Sequence, residues 1–229
     1  MRFLAALALV LLLIGTGAFL SYLVPWRYLP WEPLDVAEEP EPAATALKMA
    51  RLSLDRRYCE AALATAGLHV TPRSEVSAKG CVLHDVVEIS GDNPAFSSRF
   101  IATCPLAVAM AMFVRHEVEP AAERDLHTSV VTVNHLGSFA CRDIVGGHGH
   151  EGLSEHAAAN AIDISGFVLR DGGRVTVQKN WHGADDKAQF LHDMRVGACR
   201  YFHTVLSPDY NAAHQSHLHL DMGLYRMCR

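Results

Sequence analysis

The chain has 229 residues, enough for one compact domain with an appendage. Half of the residues are hydrophobic and the formal net charge is −5, which excludes the basic field expected of a nucleic-acid binder. Fourteen histidines are many for this length, and histidine is both the commonest metal ligand and the usual proton carrier near neutral pH.

The first element is an apolar run from Phe3 to Val24 that no charge interrupts. About 20 such residues span a bilayer as a helix. Arg2 and the amino terminus precede the run, so the positive-inside rule leaves the N-terminus in the cytoplasm. Trp26, Arg27, Tyr28 and Trp31 follow it, as residues of an outer membrane–water interface do. A cleaved signal peptide is the rival reading, but its apolar core is usually about 7–15 residues, and no small-x-small site precedes a polar start here. Either way the rest of the chain is exported. Residues 1–32 therefore read as the anchor of a single-pass inner-membrane protein whose C-terminal domain lies in the periplasm. All six cysteines, Cys59, Cys81, Cys104, Cys141, Cys199 and Cys228, follow the anchor, as an oxidising compartment favours. None forms a C-x-x-C pair, so neither a thiolate zinc site nor a redox motif is indicated. Proximity in sequence suggests Cys59–Cys81, Cys104–Cys141 and Cys199–Cys228.

Residues 33–46 are acidic and proline-rich and predict an extended tether with little to bury. The domain is expected over residues 47–229. A helix is predicted from Ala46 to Ala66, stopped by Gly67, and a second, largely buried one from Cys104 to Glu117, where Met110 and Met112 are core residues. Ser129 to Val133 is β-rich, and Gly146 to Gly152 reads as a flexible loop. Ala161 to Leu169 and Arg174 to Val177 flank the hairpin signal Asp171-Gly172-Gly173. Phe190 to Leu206 predicts a helix and His217 to Met222 a final strand. The mixture predicts an α+β fold with a central antiparallel sheet flanked by helices.

Two stretches carry candidate chemistry. In a strand over His217 to Asp221 (HLHLD), alternation puts His217, His219 and Asp221 on one face and Leu218 and Leu220 on the other. His214 lies on the approach to that strand. In Ser154 to Phe167 (SEHAAANAIDISGF), Ile162 and Ile164 point to the core, leaving Asp163 opposite and in need of a strong partner. His156 lies across a small-residue segment that can bend back. Two imidazoles and a carboxylate are a common catalytic zinc set with one position left for water. The alternative is a hydrogen-bonded His/Asp network at a sheet edge.

Ser154, His156, Ala161 and Asp163 fit the S-x-H-x-x-G-x-A-x-D pattern, and His217 to His219 the second H-x-H motif, of the zinc peptidases that include D-Ala-D-Ala carboxypeptidases and penicillin-insensitive murein endopeptidase. The longer H-x-x-H-x-H from His214 is most similar to the endopeptidase branch. From about Cys59 onward the chain resembles the bacterial extensin-like C-terminal domain family, on FACR at Phe139, LSEHAAANAIDISGF at Leu153, PDYNAAH at Pro208, HLHLDM at His217 and the terminal CR. The resemblance implies one Zn²⁺ held by His156, Asp163 and His219. It implies proton transfer or oxyanion stabilisation by His217, and an additional active-site imidazole in His214. Arg142 matches an upstream arginine that meets a substrate carboxylate, or else makes a structural ion pair. The implied activity is zinc-dependent hydrolysis of an amide bond in peptidoglycan peptides. The rival is a non-catalytic zinc domain that binds peptidoglycan or serves envelope assembly. His214 and His217 favour an enzyme, since a structural metal needs neither. Ala159 leans the other way: it stands where the wider pattern has glycine, and its methyl group is expected to narrow the cleft or alter the loop. His148 and His150 are candidates to gate the cleft from a loop that is otherwise solvated.

Overall fold

The computed structural model describes residues 2–38, 40–78, 80–144 and 152–229. Helix α1 runs from Arg2 to Leu23, with the side chains from Leu4 to Leu20 exposed, and it is long and apolar enough to cross a membrane. At about 1.5 Å per residue its length matches the roughly 30 Å of a bilayer's hydrocarbon core.

Within the 33–46 stretch expected as an extended tether, Leu34 and Val36 are packed on the domain instead, buried in its main core at 4 % and 1 % exposure. The Val36 N–H donates to Thr65 Oγ1, the Tyr58 hydroxyl to the Glu32 carbonyl, and a His116 ring nitrogen meets the Val36 carbonyl at 2.9 Å. Two aliphatic side chains inside an acidic, proline-rich run override the composition around them. The stretch expected to be one helix is two, α2 (Pro42–Leu52) and α3 (Arg56–Leu63). Asp55 separates them, because its carboxylate accepts from the Tyr58 N–H and so starts a new helix.

Next come β1 (His69–Ala78), β2 (Cys81–Ser90), β3 (Ala95–Phe96) and β4 (Phe100–Ala102). Strands β1, β2 and β4 form a small antiparallel sheet that the sequence reading did not foresee. Helix α4 (Cys104–Phe113), N-capped by Thr103, is buried all round from Leu106 onward, as expected for a helix apolar on every face. It passes through a π-helical turn (Val114–Val118) into α5 (Glu119–Leu126).

The larger sheet is built from β5 (Val130–His135), β6 (Ala161–Leu169), β7 (Arg174–Thr176), β8 (Thr204–Leu206), β9 (Leu218–Asp221) and β10 (Met227–Cys228), with β3 at one edge. Its order is β10-β8-β9-β6-β5-β3, with β7 also paired to β6. All pairings are antiparallel except β10 with β8 and β3 with β5. Gly166 permits the β6–β7 hairpin, since a Cβ there would collide with the Val175 carbonyl oxygen. Between β7 and β8 lie α6 (Val177–Asn180) and α7 (Asp186–Ala198). The helix expected over Phe190 to Leu206 therefore starts earlier, at an Asp185 cap, and stops at Cys199, after which the chain turns into β8.

Disulfides join Cys59 to Cys104, Cys81 to Cys141 and Cys199 to Cys228. Only the last agrees with pairing by proximity. The other two link elements packed in space but distant in sequence: α3 to α4, and the start of β2 to the segment bearing Arg142.

Candidate metal centre

The centre begins as a cross-strand pair. Strands β6 and β9 run antiparallel with Asp163 opposite His219, Ile162 opposite Leu220 and Ile164 opposite Leu218. The four aliphatic side chains are fully buried, so the pleat must turn Asp163 and His219 together to the other face. At about 1.5–3 kcal/mol per buried aliphatic side chain, that register is strongly specified.

His156 reaches the pair from a 3₁₀ turn (Glu155–Ala158) capped by Ser154, whose hydroxyl accepts the His156 N–H. The turn closes at Ala159 in the left-handed region (φ 52°, ψ 34°), a conformation that costs a non-glycine residue roughly 1–2 kcal/mol. Its methyl group does not narrow the cleft. Ala159 is fully buried against Leu83 and Val86 of the small sheet and is not among the residues lining the cavity. Asn160 then fastens the turn. Its amide donates to Glu155, its side-chain oxygen accepts from the Thr103 hydroxyl, and its carbonyl accepts the Met222 N–H.

Three atoms converge. His156 Nε2, Asp163 Oδ1 and His219 Nδ1 lie 3.1, 3.2 and 3.0 Å apart pairwise. The outer nitrogens are committed elsewhere. His156 Nδ1 lies 3.1 Å from the Ser138 carbonyl, which can only accept. His219 Nε2 lies 3.0 Å from Asp221 Oδ2, whose other oxygen takes the Gly223 N–H. With both outer nitrogens donating, the neutral rings aim lone pairs at each other and at a carboxylate oxygen. Protons close such a cluster only by charging a ring; a divalent cation closes all three contacts at once. The donor set fits a metal with two imidazole ligands and one carboxylate, held by acceptors behind each imidazole.

The electrostatics agree with that geometry. Burial pushes Asp163 upward, but its contacts with His156 and His219 overcome this and hold the carboxyl well below the usual carboxylate range. Burial lowers His219, yet Asp163 and Asp221 outweigh it and raise the ring to about 9. His214 is pushed down to about 4, by burial first and then by the neighbouring imidazoles. His217 is lowered too, chiefly by burial, against the pull of Asp163.

The remaining candidates surround one cavity of about 560 Å³ that also contains the three converging residues. His217 Nε2 stands 3.5 Å from Asp163 Oδ1. The His214 ring lies 5.3 Å from that of His217 and 5.8 Å from that of His219. Arg142 is exposed on the wall of the same cavity, and its guanidinium has no ion-pair partner among the described residues, so the structural ion pair weighed for it is not seen. His148 and His150 lie outside the described residues. The sequence alone gives no role to the acceptors behind the two imidazoles: Asp221 shows only as a face-mate of His219, and the Ser138 carbonyl, as backbone, leaves no signal.

No curated protein and no solved structure matches the chain. The family described as Extensin-like protein C-terminus matches residues 57–229, the span that contains both strands, the capped turn and every wall of the cavity. The chain belongs to that family.

Proposed function

We propose that this protein is a periplasmic zinc-dependent hydrolase that cleaves an amide bond in peptidoglycan peptides, as an endopeptidase or carboxypeptidase, while α1 holds it in the inner membrane. The observation that carries the reading is the convergence of His156, Asp163 and His219, each imidazole backed by a fixed acceptor. Likeness of the two histidine motifs to those of zinc carboxypeptidases and murein endopeptidase supports it. So does the presence of two further imidazoles beside the centre, which a structural metal has no use for.

Zinc bound there supplies a Lewis acid that polarises a carbonyl and acidifies a water. The chain's own residues do the rest. His217 and His214, kept neutral by burial, form a pair of bases through which one proton of the attacking water is taken up and returned to the leaving amine. Arg142, at the cavity wall with no ion-pair partner among the described residues, binds a carboxylate of the substrate peptide. Three disulfides and the exported topology suit an oxidising envelope compartment.

The test is to incubate the purified chain with peptidoglycan and separate the products by mass, beside a His217→Ala variant. New muropeptides are expected from the wild type, with the variant slower on the order of 10²–10⁴-fold. One zinc per chain with no products would instead leave a binding domain.

A further inference from the structure

The segment Pro208 to His214 (PDYNAAH) stands out in the sequence, and the ligand set leaves it unexplained. In the fold it holds one imidazole. Asp209 takes the indole N–H of Trp181, which is itself 1 % exposed, and so fastens the segment to the core. Asn211 caps the short 3₁₀ turn Ala212–His214. Its side-chain oxygen accepts the Ala213 N–H at 3.0 Å and lies 2.7 Å from His214 Nδ1. Because a backbone N–H can only donate, the atom facing it is the amide oxygen. The same oxygen can therefore only accept from His214. Nδ1 thus carries the hydrogen, and the neutral ring keeps its lone pair on Nε2. Tyr210 packs edge-on against the ring at 5.7 Å between centroids, so the imidazole is held in orientation as well as tautomer. Nε2 makes no hydrogen bond among the described residues, and His214 lines the cavity.

We propose that Asn211 is a positioning residue that presents His214 to the cavity as a fixed proton acceptor. The proposal rests on the hydrolase reading. In the step assigned to it, an O–H bond of the attacking water breaks as an N–H bond forms at His214 Nε2. That proton passes to the amide nitrogen as the C–N bond breaks, which returns the ring to its starting state. The logic is that of a carboxylate fixing the tautomer of a catalytic histidine, here with an amide oxygen in its place.

The test uses the full chain in detergent, zinc-loaded and labelled with ¹⁵N-histidine, comparing wild type with Asn211→Ser and Asn211→Asp. Serine still caps the turn but is too short to reach the ring, which separates orientation from folding; aspartate restores both acceptor contacts. His214 signals are assigned by their loss in His214→Gln. The wild type is expected to show His214 protonated on Nδ1, and Asn211→Ser to shift it toward the Nε2–H form with zinc content unchanged. Muropeptide release by Asn211→Ser should lose about 10- to 100-fold in kcat, the usual loss when the acceptor that orients an active-site imidazole is removed, at unchanged KM, and Asn211→Asp should recover most of it. A wild-type His214 protonated on Nε2, or an Asn211→Ser variant with unaltered tautomer and kcat, overturns the proposal. Should the wild type release no product, the hydrolase reading falls, whereas the tautomer comparison still decides what Asn211 does.

Discussion

Asp221 illustrates how much of the centre depends on groups that touch no metal. Its two oxygens accept from His219 Nε2 and from the Gly223 N–H. Asparagine offers only one acceptor, so Asp221→Asn must either forfeit the Gly223 contact or turn its NH₂ toward His219 and move the ring's hydrogen onto Nδ1, into the centre. Zinc affinity is expected to fall about 10–100-fold in that variant, read by competition with a chelator; unchanged affinity would remove Asp221 from the centre. His219 also sets a pH dependence. In the metal-free protein its raised value, about 9 against an ordinary 6.5, gives stability that is fully present below 6.5 and lost as pH rises through about 9. Zinc must displace that proton. Binding near neutral pH is therefore expected to release about one proton, with affinity rising about tenfold per pH unit up to about 9. Calorimetry in buffers of different ionisation enthalpy measures the release, and a value near zero would show that His219 is already neutral.

Elements differ in how openly the sequence announces them. Strand β9 and the Ala161–Ser165 half of β6 were legible because Leu218 and Leu220, like Ile162 and Ile164, alternate with polar residues, and a period of two leaves little choice of register. The same alternation put Asp163 and His219 each on the polar face of its own strand; their grouping with His156 as a ligand set came from the resemblance of the two motifs. Strands β1 and β2 lack that signal: β1 carries Pro72, Arg73 and Glu75 and exposes most of its length. The break between α2 and α3 hung on one capping aspartate, and the disulfides on three-dimensional proximity that sequence distance does not report. Leu34 and Val36 were hidden by acidic neighbours. They bring a consequence for truncation, since each contributes about 1.5–3 kcal/mol by burial. A fragment starting at Ala46 is expected to melt well below one starting at Trp31, by calorimetry on both; equal melting temperatures would mean that the 33–36 segment does not dock in solution.

Across the whole molecule, two sheets serve one cavity. The large sheet supplies Asp163 and His219, and the small sheet backs the turn that bears His156 through Leu83, Val86 and the Ala159 methyl. Two of the disulfides end beside the cavity walls, Cys141 next to Arg142 and Cys228 next to Met227. The docked Glu32–Val36 segment follows α1 closely, which keeps the domain near the membrane that α1 is proposed to cross. All of this presupposes a cation at the centre. The most direct measurement is the metal content of the full chain purified from cells, beside His156→Ala, Asp163→Ala and His219→Ala. One zinc per chain in the wild type and loss of zinc in each variant is the expected result. A wild type without metal, or stoichiometric zinc retained in all three variants, would contradict the account.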